Sequence, residues 1–227
     1  MQPYFFPYIG YFQLIGAVDL FIIYDDIKYT KKGWINRNRM LQAGKDVMFS
    51  LPLKSDSDSL DIRDRSLAAD FNREKLLNQI RGAYARAPHF AQIMPLIESA
   101  VRHDESNLFA YLQHALAQTC NYLELRTDIR VSSSIKIDHN LRSDDRVLAL
   151  TKAVGATTYV NAIGGLELYS RDVFKAHGLE LTFIQSKPFE YRQFGDAFLP
   201  WLSIIDVMMF NPLDKVKTIV ATQYDLL

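Results

Sequence analysis

Two consecutive carboxylates, Asp25 and Asp26, follow the β-branched and aromatic run Phe21-Ile22-Ile23-Tyr24. If that run is a strand, the acids stand at its carboxyl end, where ligand chemistry collects in α/β sheets. A carboxylate held there can take a proton from an attacking amine. His139 is the second candidate base. It lies in Asp138-His139-Asn140-Leu141-Arg142-Ser143-Asp144-Asp145, a polar loop expected between a strand and a helix. An imidazole so placed suits general-base work. Asp25 and His139 are therefore the candidate catalytic residues.

Around the acids the sequence gathers groups that could hold a polar ligand. The chain opens Gln2-Pro3-Tyr4-Phe5-Phe6-Pro7-Tyr8-Ile9-Gly10-Tyr11 and continues past the acids through Tyr29, Lys31, Trp34, Asn36, Arg37 and Arg39. Pro3 and Pro7 stiffen this loop by fixing φ, and Gly10 permits close approach. Read as a site, Tyr4, Tyr11, Tyr29 and Trp34 are stacking walls for a sugar or base. Lys31, Arg37 and Arg39 meet phosphates, the arginines with bidentate geometry. Gln2, Asn36 and Asn161 orient the substrate. The alternative is an aromatic-rich surface loop with ordinary solvated charges. Further on, Asn161-Ala162-Ile163-Gly164-Gly165 joins an expected strand to a helix. Free N–H groups at Gly164 and Gly165 could hold a phosphate or carboxylate, or the pair is simply a tight turn.

Several functions have no support in the sequence. The five histidines are scattered, none paired at helical ligand spacing, and the single cysteine, Cys120, rules out a cysteine-based zinc site and an internal disulfide. Cys120 lies in an apolar helical pattern, where a free thiol behaves as a small hydrophobe. No metal and no cofactor are expected. Lys+Arg equals Asp+Glu at 26 each, which gives no argument for nucleic acid as a partner. No apolar run is long enough to span a bilayer and no signal peptide opens the chain, so a cytoplasmic protein is expected. Asp206, inside an apolar helix, needs a partner to be buried; Arg37 or Arg39 is expected to supply it.

The elements that must position these groups follow from periodicity. Residues 10–18 read as a short helix, 20–24 and 47–53 as strands, and 34–41 as ambiguous. From residue 71 the period becomes helical. Three helices are expected between about 70 and 125, the first capped by Asp70 and the third by Ser106. Strands at 127–131, 134–137, 157–161 and 179–184 then alternate with helices at 146–154 and 168–176, the grammar of βαβ units and a parallel sheet. Residues 198–210 and 212–222 read as helices. The expected fold is a single α/β domain over residues 1–227, with a mostly parallel Rossmann-like sheet and a helical insertion or lobe near 70–125.

Taken together, the Gln2–Phe12 run, Asp25-Asp26-Ile27-Lys28-Tyr29, Gly33-Trp34-Ile35-Asn36-Arg37-Asn38 and the segments 159–169 and 202–210 resemble the WbqC-like family of bacterial proteins. The resemblance spans nearly the whole chain. It implies an association with O-antigen and other surface-polysaccharide (lipopolysaccharide) gene sets. The implied activity is a transferase that modifies an amino sugar, by passing on an acyl or aminoacyl group such as glycine. The implied partners are a nucleotide-linked or lipid-linked amino sugar and an acyl carrier protein, whose thioester needs no metal. Similar proteins carry a few more residues before the Gln-Pro, enough for a first strand; here Met1 abuts Gln2, so either that strand is missing, which would leave a sheet edge exposed, or the start is called late. There is also a looser similarity to the HUP nucleotidyltransferase and ligase superfamily, which would use an NTP and Mg²⁺. Gly10-Tyr11 stands where those proteins have Gly-His, so the histidine that steadies a transferring phosphate is absent. A non-catalytic binding partner in polysaccharide assembly is the third expectation.

Overall fold

A computed structural model describes residues 1–195 and 197–227. Helix α1 (Ile9–Gly16) leads into strand β1 (Leu20–Ile23), and a hairpin, β2 (Arg37–Gln42) and β3 (Lys45–Ser50), follows. Three helices come next: α2 (Arg73–Tyr84), α3 (Phe90–Val101) and α4 (Leu108–Tyr122). Then the elements alternate: β4 (Asp128–Val131), α5 (Ser143–Ala153), β5 (Thr158–Ala162), α6 (Arg171–Ala176) and β6 (Glu180–Ser186). Helices α7 (Ile204–Phe210) and α8 (Leu213–Thr222) and the short strand β7 (Tyr224–Leu226) end the chain.

The fold is mixed α/β. Its strands form three small sheets among the described residues, where one mostly parallel sheet was expected. β1 pairs in parallel with β4, Leu20 opposite Asp128 through Ile23 opposite Val131. β5 pairs in parallel with β6, and β7 joins β6 antiparallel. The β2–β3 hairpin is antiparallel, with Ala43 and Gly44 at its tip at φ 50° and 76°; two positive φ angles match a turn's twist to that of the strands it joins. That hairpin resolves the ambiguous segment as a strand, since its apolar residues alternate only weakly.

Other local readings differ from the expectations for identifiable reasons. The caps of α2 and α4 are Asn72 and Asn107, whose side chains accept from Lys75 and Ala110 N–H groups; the expected Asp70 and Ser106 lie one or two residues too early. The run after β4 is a 3₁₀ turn, Ser132–Ser134, in place of a second strand. Only the second half of 198–210 is helical, because Ser203 caps α7 through the Ile205 N–H.

One large core takes in the N-terminal aromatics, α2, α3, α4 and α7. Phe5, fully buried, meets Phe49 edge-on and Tyr111 of α4 at a ring distance of 6.0 Å. Such aromatic pairs add about 0.5–1.5 kcal/mol each beyond burial. A second, smaller core of Val147, Leu148, Phe174, Leu179, Leu181 and Phe183 lies under β5 and β6.

The direction of the parallel strands follows from α5. Arg146, in its first turn, touches Asp26 just beyond β1. α5 therefore starts at the carboxyl end of β1 and runs back toward its amino end, where β5 sets off. β1, β4 and β5 thus end on one edge of the molecule. On that edge lie Asp25 and Asp26, the Ser132–Ser134 turn and Asn161.

Candidate functional site: an acid pair ringed by hydroxyls and cations

Asp25 and Asp26 are 4% and 7% exposed, and almost every oxygen they carry is engaged. The Ser132 hydroxyl, fully buried, reaches Asp25 Oδ1 at 3.0 Å and also Asp26 Oδ1. A hydroxyl has one hydrogen, so the two carboxylates share it. The Ser133 hydroxyl donates to Asp25 Oδ2 at 2.6 Å, its N–H to Asp25 Oδ1 at 3.1 Å, and Arg63 Nη1 stands 4.0 Å from Asp25 Oδ2. The serine contacts come from the turn after β4, which β1–β4 pairing brings beside the acids; Arg63 comes from the Ile62–Asp64 3₁₀ turn.

Asp26 is the hub of the cations. Arg146 Nη2 packs against its Oδ1 while Arg146 Nη1 donates to the Asp26 carbonyl at 3.2 Å. His139 Nδ1 lies 2.9 Å from Asp26 Oδ2, off the line of a straight hydrogen bond. His139 Nε2 faces the Ile135 carbonyl at 3.0 Å; a carbonyl only accepts, so Nε2 carries a proton and Nδ1 is the nitrogen left to exchange one. Burial pulls the Asp26 pKa upward, but the Ser132 hydroxyl, Arg146 and His139 together outweigh it and hold the carboxylate below its ordinary range. Arg146 also lies over the Tyr24 ring at 5.3 Å. Burial, with Tyr169 and Asp26 adding to it and Arg146 opposing, pushes the Tyr24 phenol up to about 12. The open side of the cluster is formed by His139 and Ser133, both half-buried, and by exposed Arg63.

The structure brings together only some of the expected site residues. Asp25 and His139 share the Asp26 cluster. Asn161 ends on the same edge, but its Oδ1 accepts from its neighbour's N–H and its amide packs over Gly165, where a Cβ would sit 2.3 Å from Nδ2. A side chain at Gly164 would meet nothing, so only the second glycine is sterically required. Near the N-terminus, Tyr11 donates to the Gln2 carbonyl at 2.8 Å, and Tyr4 donates to Gln2 Oε1. Tyr11 is buried against Phe21, because α1 turns that face to the core; it is not an open stacking wall. Tyr4 and Tyr8 are the half-exposed rings there, and Tyr8 packs so tightly on Gly10 that a Cβ would fall 2.4 Å from the ring.

The segment 28–39 forms a separate group. Buried Tyr29 donates to Asn36 Oδ1 at 2.8 Å, Asn36 Nδ2 donates to the Leu51 carbonyl at 2.7 Å, and Arg65 lies over the Tyr29 ring. Both ends of the Asn36 amide are thus used to clip the strands. Arg37 Nε donates to the Gly33 carbonyl, and Lys31 pairs at the surface with Asp58. Trp34 is 42% exposed beneath Arg39, which pairs with Asp46 and donates to the Trp201 carbonyl. Among the described residues none of these side chains hydrogen-bonds to the acid cluster. Asp206 is not met by Arg37 or Arg39; Tyr84, Tyr191 and Gln193 donate to it instead. Cys120 is buried in α4, and burial pushes its thiol up to about 12. Among the described residues no three His, Cys, Asp or Glu side chains are placed to hold a metal ion, and no helix is long and apolar enough to cross a membrane.

Sequence reasoning missed Ser132, Ser133, Arg146 and Arg63. Arg146 is the first residue of the helix expected over 146–154, and nothing local ties it to the acids. The serines left a usable signal, since Ser132-Ser133-Ser134 directly follows an expected strand, the position that drew attention to the acids.

Comparison with known proteins agrees with the sequence resemblance. An uncharacterised protein of Mycobacterium tuberculosis, Rv1507c, is 28% identical over 214 residues, covering 93% of this chain and 91% of that one. No solved structure matches. A profile of the WbqC-like protein family matches residues 2–218, and with nearly the whole chain covered the protein belongs to that family.

Proposed function

We propose that this protein is a transferase that passes an acyl or aminoacyl group, glycyl among the candidates, to the amine of a nucleotide-linked or lipid-linked amino sugar in surface-polysaccharide synthesis. The observation that carries the reading is the acid cluster: two buried carboxylates at the carboxyl end of β1, contacted by a half-buried histidine, a half-buried serine and an exposed arginine. Chemistry on an amine needs a proton acceptor at a fixed place. The Ser133 hydroxyl can supply one, passing its proton to Asp25 while taking one from the amine; His139 Nδ1, which faces the Asp26 carboxylate at 2.9 Å, can act once the ring turns away from that carboxylate. Exposed Arg63 supplies positive charge for a phosphate of the substrate. In this reading the half-exposed Tyr4 and Tyr8 face the sugar or base across the same edge. The two parallel pairs are read as the halves of one Rossmann-like sheet, in the order β4, β1, β5, β6, β7, with ligand at its carboxyl edge.

The experiment is a thermal-shift panel of nucleotide-linked amino sugars, NTPs with Mg²⁺ and acyl- or aminoacyl-loaded carrier protein, since a ligand that binds the native state raises its stability. A metal-independent shift with an amino-sugar nucleotide, weakened in Arg63→Ala and kept in His139→Gln, is the expected result. A shift that appears only with an NTP and Mg²⁺ would replace this reading with nucleotidyl transfer. A shift with the sugar but no turnover with any loaded donor would leave a binding protein.

A further inference from the structure

Both tryptophans of this chain, Trp34 and Trp201, are in the open, at 42% and 57% exposed. An indole ring is ordinarily well buried, so two exposed ones need a reason. They come from distant parts of the sequence to one arginine. Arg39 of β2 lies over the Trp34 ring at 5.5 Å, and its Nη2 donates to the Trp201 carbonyl at 3.2 Å. Met48 of β3, opposite Arg39 across the hairpin, is a third exposed apolar side chain on this face. Trp201 sits at φ 61°, a left-handed conformation that is costly for a bulky residue. Its surroundings impose it: just beyond, the Ser203 N–H donates to the Arg39 carbonyl and the Ile204 N–H to that of Pro7.

The charge around these rings has one sign. Residues 28–45 hold Lys28, Lys31, Lys32, Arg37, Arg39 and Lys45 and no acid, in a chain whose total charge is balanced. The rest of the chain is therefore acidic in sum, and positive charge is concentrated on the hairpin and the turn before it. From outside the segment, Asp58 pairs with Lys31 and Asp46 with Arg39. Among the described residues Lys32 and Lys45 pair with no carboxylate, and both are exposed.

We propose that this face docks on an anionic phospholipid bilayer, with the cations against head-group phosphates and Trp34, Trp201 and Met48 at the boundary with the acyl chains. An indole, apolar in body with one N–H, favours that boundary. Each Lys or Arg brought near an anionic bilayer strengthens binding by about fivefold. Neither tryptophan lies in a helix or strand, and a ring on a turn enters a soft surface without needing a matching groove. A nucleic acid fits less well, because it would run on past the hairpin over a surface that is acidic in sum. A bilayer touches only the face turned to it. The attachment is peripheral and reversible. Trp201 also meets the Tyr8 ring edge-on at 6.0 Å, so the docked face adjoins a ring assigned above to the ligand, and docking selects the lipid-linked form of the acceptor. That last step rests on the transferase reading; the docking itself does not.

The test mixes the full chain with vesicles of phosphatidylcholine, alone or with an equal part of phosphatidylglycerol. Because the chain has no other tryptophan, indole emission reports on this face alone. Co-sedimentation with the anionic vesicles only, a blue shift of the emission, its quenching by lipids brominated on the acyl chains and release in high salt are the expected results. Lys32→Gln combined with Lys45→Gln should weaken binding at least tenfold. Trp34→Ala should weaken it severalfold while moving Tm by no more than about 2 °C. Absence of binding to either vesicle overturns the proposal, as does equal binding to both, or unchanged binding in the lysine variant. Retention of polyglutamate or of single-stranded RNA with the anionic vesicles left unbound would also overturn it, in favour of an acidic protein or a nucleic acid. No arm contains a sugar or a donor, so failure here is distinct from failure of the transferase reading.

Discussion

Asp26 and Asp206 are both buried aspartates in the same chain, and the protein treats them in opposite ways. Asp26 is met by Arg146, His139 and the Ser132 hydroxyl, and its pKa is held down despite burial. Asp206 is met by Tyr84, Tyr191 and Gln193, neutral donors only, and burial outweighs them so that its pKa is raised. Asp206 also has its donors on all sides and no solvent-facing partner: it holds Tyr84, which in turn accepts the Leu41 N–H of β2 at 3.0 Å. Burial alone therefore does not mark a functional acid. The mark is compensation by a buried cation, Arg146, with a half-exposed partner, His139, that leads out to solvent, and it sets the Asp26 cluster apart as a place where charge can be handled.

The largest expected effect separates the two by what is left behind. Asp26→Ala strands the buried Arg146 guanidinium and should cost about 3–5 kcal/mol in urea unfolding. Asp206→Ala strands two phenol hydroxyls and an amide, all neutral, and should cost about 2–4 kcal/mol. If Asp206→Ala proves the more damaging, charge compensation is not what distinguishes the sites.

Titration should give opposite signs. Asp26 has a folded pKa below the ordinary 3.8, so its stabilisation is complete above that value and is lost as pH falls through the folded pKa. Asp206 has a folded pKa above 3.8. Its ionised form is a cost to the fold at higher pH, relieved as pH falls through the raised pKa. The stability difference between parent and Asp206→Asn should thus move in the parent's favour on acidification from above. The difference between parent and Asp26→Asn should stay flat until below 3.8 and then shrink.

Smaller effects sharpen the functional half of the comparison. His139→Gln should change stability by less than about 1 kcal/mol, since the ring is half-exposed, yet lower turnover on an amino sugar by about 100-fold or more. An equal loss of folding and activity would make His139 a structural partner of Asp26. Trp34→Ala should alter stability by no more than about 0.5 kcal/mol and leave amino-sugar affinity unchanged, because Trp34 belongs to the Arg39 and Trp201 patch and not to the acid cluster.

What could be read from the sequence was what depends on near neighbours. The acids were legible because a β-branched run ends at them, and His139 because its loop lies between a strand and a helix. Strand pairing across the middle of the chain was not legible, and it brings Ser132 to Asp25, while the seating of α5 brings Arg146 to Asp26. The same limit explains the errors. Tyr11 and Tyr29 were read by chemical type, but α1 and the hairpin turn both inward. Arg37 and Arg39 were assigned to Asp206 by charge, whereas neutral phenols from α2 and the 191–193 segment are what packing delivers there.

Buried Gln13 has a consequence for how the chain is made. Its amide donates to the carbonyls of Ile219 and Gln223, and Ser186 donates to its Oε1 at 2.6 Å. Nearby, Ser203 grips the carbonyl of Phe6, held at φ 44°, and the Ile204 N–H grips that of Pro7. The first helix and the loop before it thus take their final partners from residues made much later in synthesis, Ser186 to Gln223. Until then the N-terminal aromatics have no complete surface to settle on, and closing so long a loop is slow. Residues 5–16 should therefore be the part most in need of a chaperone until residues 186–223 have been made.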